Sequence, residues 1–96
     1  MHARLTSLRY DVAREREMLQ IARELLLPLL RQLPGFQGIV VATDRRQPGC
    51  GLVLTRWSSA AQAEGLRDAL GFLTGALQEC AIELGTARGY EVILRE

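Results

Sequence analysis

Apolar residues follow two different rhythms along this chain. Between Pro34 and Trp57 lie two runs, Ile39 to Ala42 and Leu52 to Leu54, that are apolar at consecutive positions. A turn containing Pro48 and Gly49 separates them. A hairpin covered on one face and wet on the other alternates apolar and polar residues. These runs scarcely alternate, so both faces of their sheet call for cover. A chain of 96 residues covers one face with its own helices. The other is left for something else, most simply a second copy of the chain.

Phe36 to Thr43 and Gly51 to Trp57 therefore read as strands, with Asp44 to Cys50 as the turn between them. Ala3 to Tyr10 reads as an earlier strand, with Leu8 and Tyr10 on one face and Leu5 on the other. From Arg14 to Leu33 the spacing turns helical, and Met18, Ala22, Leu25, Leu26, Leu29, Leu30 and Leu33 form one stripe. Asp11 is placed to cap this helix. Pro28 forfeits one of its hydrogen bonds and should bend it, and Pro34 with Gly35 stops it. Ser59, followed three residues on by Gln62, has the form of a capping box in which Gln reaches back. Leu66, Leu70, Leu73, Leu77, Cys80 and Leu84 then carry a second helix from Ala60 to Leu84, closed by Gly85. Unbroken, that helix would be about 37 Å long, against about 23 Å for a seven-residue strand. A break is expected, bracketed by Gly65 and Gly71. Tyr90 to Arg95 reads as a last strand.

The order β-α-β-β-α-β predicts an α+β, ferredoxin-like fold with a four-stranded antiparallel sheet and two helices on one face. Two helix-free faces buried against one another make a homodimer, a dimeric α+β barrel with a closed interior. The length fits one domain over residues 1–96.

Charge narrows the partners. The net charge is +1, so no global field recruits nucleic acid or an anionic membrane. An RNA-recognition module of the same topology needs two or three aromatics on its central strands, and the strand ending at Trp57 offers one. The opening residues lack the apolar core of a signal peptide, and no run approaches the roughly 20 apolar residues of a membrane span. A cytoplasmic protein is expected. Cys50 and Cys80 form no close pair and are expected as free thiols. One His and two Cys make no zinc site, and neither metal nor cofactor is expected.

Several residues together resemble the antibiotic-biosynthesis monooxygenase-like family of dimeric α+β barrels. They are Tyr10-Asp11-Val12, Pro34-Gly35-Phe36, Gly38, Asp44, Trp57-Ser58 and Glu83-Leu84-Gly85. The likeness spans nearly the whole chain. It implies relatives that oxidise polycyclic phenols to quinones without metal or flavin, and others that degrade haem. Both kinds rely on an Asn near the substrate, with a Trp that Trp57 matches, and the haem enzymes place a His on the second helix. This chain contains no Asn, and its one His is His2. The resemblance therefore implies no haem degradation, and phenol oxidation would need another polar group. Fold does not carry function with it.

Five residues stand as ligand-binding candidates: Trp57, Tyr10, Arg56, Arg67 and Ser7. Trp57 either stacks on an aromatic ligand at a cavity mouth or plugs the barrel end as core. Tyr10, and less so Tyr90, either orients a phenol through its hydroxyl or packs at a sheet edge. Arg9, Arg56 and Arg67 suit an anionic group or simply face solvent. Ser7 or Thr6 is placed to supply the polar contact that Asn supplies elsewhere. Cys50 reads as an inert thiol, and Glu91 as the one carboxylate inside a strand. The functional reading is a small apolar or aromatic molecule bound in the inner cavity. The alternatives are a cofactor-independent monooxygenase acting on a phenolic or polycyclic substrate, and a purely structural interaction module.

Overall fold

The computed structural model describes Met1–Glu96. Its elements run β1 (His2–Arg9), α1 (Glu15–Ile21), α2 (Leu27–Arg31), β2 (Phe36–Thr43), β3 (Cys50–Trp57), α3 (Ala60–Ala63), α4 (Gly65–Phe72), α5 (Thr74–Glu79) and β4 (Glu83–Glu91). The four strands form one antiparallel sheet in the order β2-β3-β1-β4. That is the ferredoxin-like arrangement the element order implies. No helix is long and apolar enough to cross a membrane.

The first helix solves its proline in an unexpected way. Asp11 does cap the entry, accepting the Ala13 N–H at 3.0 Å. Ahead of Pro28, Ala22–Leu26 opens into a π turn, and Leu27 N–H donates to the Ala22 carbonyl. Met18, Ala22, Leu26 and Leu30 recur every four residues, slightly more than the 3.6 of an α-helix. One wide turn keeps them on one face and absorbs the bond that Pro28 cannot make. The stripe turns accordingly. Leu25 is exposed, and Ile21 packs in its stead.

The second helix breaks twice, at Glu64 and at Leu73. The stretch between Gly65 and Gly71 is itself helical, so the breaks fall outside the pair expected to bracket them. Only half of the capping box forms. Ser59 Oγ accepts the Gln62 N–H at 3.2 Å, but the Gln62 side chain turns away to lie over Gly35. Gly35 has φ +79 and no Cβ to refuse it.

The last strand differs most from expectation. It is Glu83–Glu91, not Tyr90–Arg95. The helix ends at Glu79, and Leu84 and Gly85 belong to the strand rather than to a helix terminus. The stop is Ala81, at φ 55. Ile82 N–H donates to the Leu77 carbonyl at 2.9 Å and Ala81 N–H to the Gln78 carbonyl at 3.1 Å, the Schellman pattern normally built on glycine. β4 then pairs with β1 along its length, from Arg9↔Glu83 to His2↔Glu91, with Ser7 alone left out of the register. Ile93 and Leu94, which suggested a strand by composition, lie beyond that ladder and are exposed. Pairing decides the strand, not β-propensity. A register shift between Thr6 and Leu8 sets Ser7 against Gly85, whose missing side chain makes room for the Ser7 hydroxyl.

Two apolar clusters hold the helices to the sheet. One gathers Leu26, Leu30, Trp57, Ala63, Leu66, Ala69 and Leu73, and the other Leu8, Tyr10, Met18 and Ile82. The opposite face carries Val40 opposite Leu54 and Leu54 opposite Leu5. Val40 is 49% exposed there.

Candidate functional site

Splayed helices open a cavity between α4, α5 and the β1–β4 pair. Its mouth measures about 770 Å³ and is lined by Arg4, Arg67, Thr74, Gln78, Glu83 and Thr86 among others. Behind it lies a slot of about 40 Å³ with fourteen apolar residues and one polar residue, Thr6. Thr6, Leu66, Leu70, Leu77, Ile82 and Leu84 line both, so the two spaces adjoin. α4 and α5, separated by the break at Leu73, both contribute to the lining of the mouth. Beyond its own helix backbone and chain neighbours, nothing stands within 4 Å of where a Cβ on Gly71 would sit. The cavity thus lies on the helix-covered side of the sheet, not between the sheets of two copies.

The five candidates do not converge. Arg67 lines the mouth. Trp57 is 0% exposed, edge-to-face with Phe36 at 5.4 Å and 67°, with its indole N–H donated to Thr55 Oγ1 at 2.9 Å. It is packed as core in this conformation. Tyr10 sits at the other end of the sheet, about 27 Å away along β1 at 3.4 Å per residue. Ser7 lies on the helix-free face, in a shallow hollow of about 280 Å³ with Leu5, Leu52, Thr86, Arg88 and Tyr90. Arg56, paired with Ala3, points to that same face across Gly38. Arg9 is exposed, and Glu91 ends β4 at the surface.

Of the Thr6 and Ser7 pair, Thr6 is the one in the cavity. Arg4 and Glu83 were not among the candidates. Arg4 had a signal, because it shares period-two parity with Leu8 on the helix-facing side of β1. Glu83 had none while its segment read as helix.

Tyr10 is a structural hydroxyl. It donates to Glu15 Oε1 at 2.8 Å and pairs with Thr43 Oγ1 at 2.8 Å. The Thr43 hydrogen bond is the largest influence and lowers the phenol pKa, but the Glu15 hydrogen bond, burial and the nearby charges of Glu15 and Cys50 together raise it. A raised phenol favours the protonated folded state. Its contribution is therefore complete below the unfolded value near 10 and is lost as pH rises through the folded value. Tyr10→Phe should flatten the fall in stability above about pH 10, read from urea midpoints at a series of pH values. An unchanged alkaline slope would contradict this role.

A four-stranded ferredoxin-like sheet, with a cavity between its helices and its helix-facing side, defines the class. A family model for antibiotic biosynthesis monooxygenases matches residues 1–75, and this chain belongs to that family. No protein of curated function matches the sequence. Among solved structures it is similar to HapK from Hahella chejuensis, at TM-score 0.77 and 15% identity, covering 100% of this chain and 96% of that one. It is also similar to the heme-degrader MhuD from Mycobacterium tuberculosis, solved with two hemes in its active site. There the TM-score is 0.77 and identity 14%, covering 100% and 99% of the two chains. SnoaB, a cofactor-independent oxygenase from Streptomyces nogalater, superposes at TM-score 0.72 with 14% identity, covering 98% and 94%. At these identities the likeness is one of fold.

Proposed function

We propose that this chain works as a homodimer, joined through the helix-free sheet face, and that each copy binds a small, mostly apolar molecule in the cavity under α4 and α5. One observation carries the binding reading: an almost wholly apolar slot continuous with a wide polar mouth. Apolar concavities with a few polar groups are the usual form of a ligand site. The dimer is supported by the band Val40–Leu54–Leu5 on the helix-free face, where Val40 is exposed and Leu54 and Leu5 are half-buried.

Native mass spectrometry of protein from its own host tests for a co-purified ligand. In vitro, 1-naphthol and octanoate serve as apolar probes. Leu70→Trp fills the junction of mouth and slot and is expected to abolish binding of whichever probe the wild type takes, with the fold retained by circular dichroism. Probe binding that survives this substitution would place the ligand elsewhere.

A second reading, a cofactor-independent oxygenase of phenolic substrates, is favoured by Glu83, the carboxylate at the cavity mouth. A carboxylate there is positioned to accept a phenol proton. Oxygen uptake with an anthrone, lost in Glu83→Gln, is the expected result under that reading. No uptake by the wild-type protein would leave binding alone.

A further inference from the structure

We propose that the cavity selects an amphipathic anion, a carboxylic acid with a narrow aliphatic tail, held by Arg67 and Arg4 with its tail in the slot. This rests on the cavity reading above. The helix-facing side of β1 runs Arg4, Thr6, Leu8, from charged through polar to apolar. Arg4 lines the mouth, Thr6 lines both spaces, and Leu8 lines the slot. A molecule lying along this strand meets a cation first, a hydroxyl next and hydrocarbon last. That order matches a carboxylate head and an alkyl tail.

The volumes point the same way. A slot of about 40 Å³ takes about three water-sized groups in line, at roughly 10–15 Å³ each. The end of a methylene chain fits that space, with the rest of the tail along Leu66, Leu70 and Leu77 at the junction with the mouth, while fused rings would force α1 and the sheet apart. The apolar wall of the wide part, Leu66, Leu70, Leu77, Ile82 and Leu84, is the one it shares with the slot, and Arg4, Arg67, Gln78 and Glu83 stand around it.

Charge sets the sign of the head. Two arginines line the mouth against one glutamate. Arg67 makes no ion pair, and the carboxylate near Arg4 is Glu64, at 3.7 Å. That contact is too long for a hydrogen bond and leaves guanidinium donors available. Guanidinium groups bind carboxylates through paired, charge-assisted hydrogen bonds. Thr6, the polar side chain of the slot, is 4% exposed and stands about 7 Å along β1 from Arg4, within reach of the same head group.

Calorimetric titration of the full chain with octanoate, 1-octanol and octylamine tests this, with 1-naphthol alongside. Octanoate is expected to bind about tenfold tighter than octanol, the scale of one charge-assisted hydrogen bond. Arg67→Gln, at an exposed position, should keep the fold, remove about that tenfold, and leave octanol affinity in place. Octanol or octylamine binding as well as octanoate would overturn the anionic head and leave the cavity reading standing. So would Arg67→Gln without effect on octanoate. Naphthol binding with none of the three aliphatic probes would overturn the narrow tail. Failure of all four probes would take the cavity reading down as well.

Discussion

Trp57→Ala is expected to cost about 3–5 kcal/mol, the range for emptying a large aromatic from a packed core. The ring is fully buried among Leu26, Leu30, Ala63, Leu66, Ala69 and Leu73. It also carries the edge contact to Phe36 and satisfies Thr55, which is itself 0% exposed. Urea unfolding reads the loss as a lower midpoint at an unchanged slope. Trp57→Phe keeps most of the contact area but breaks the Thr55 hydrogen bond, so about 1–2 kcal/mol is expected. If Trp57→Ala instead left stability nearly intact and weakened ligand binding, Trp57 would be a ligand contact after all.

Asp substitutions at two neighbouring strand positions should part company. Val41 packs on the helix-facing side with the Leu8 and Tyr10 cluster, whereas Leu54 lies on the helix-free face opposite Val40 and Leu5. Val41→Asp buries an unpaired carboxylate inside one chain and is expected to cost several kcal/mol at any protein concentration. Leu54→Asp puts the same charge into the proposed sheet-to-sheet interface. It should keep its far-ultraviolet spectrum while sedimenting as a 10.7 kDa monomer. A Leu54→Asp protein that sediments like the wild type would remove this face from the dimer.

β2 was legible to the residue and β3 to within one, because the hairpin is a local object. Its apolar runs and the Pro48-Gly49 turn lie within about twenty residues of each other, and the turn closes with Asp44 N–H donating to the Cys50 carbonyl at 2.8 Å. The same two runs announced a sheet that wants cover on both faces. β4 was not legible. Its residues Glu83–Glu91 include Gly85 and Gly89 and have little strand propensity, and the better-suited Ile93-Leu94 stands outside the ladder. What recruits Glu83–Glu91 is β1, some eighty residues away in sequence, and no local rhythm encodes that.

The cavity follows the same division. The apolar stripes that wall its slot can be read from periodicity, but the helices beside its mouth break at Glu64 and Leu73, which no proline or adjacent pair of glycines marks. Its strand-side lining, Glu83 and Leu84, follows from Ala81 entering the left-handed region, where composition pointed to Gly85. By itself the sequence determined the element order, the hairpin and its two-sided apolarity, since those rest on nearest-neighbour sterics and periodicity. Only the tertiary structure decided that Trp57 packs as core, that Arg4, Thr6, Arg67 and Glu83 share one cavity, and where the chain's last strand lies. Those outcomes turn on which distant surfaces meet, and burial and backbone pairing across the sheet outweigh the preferences of any single segment.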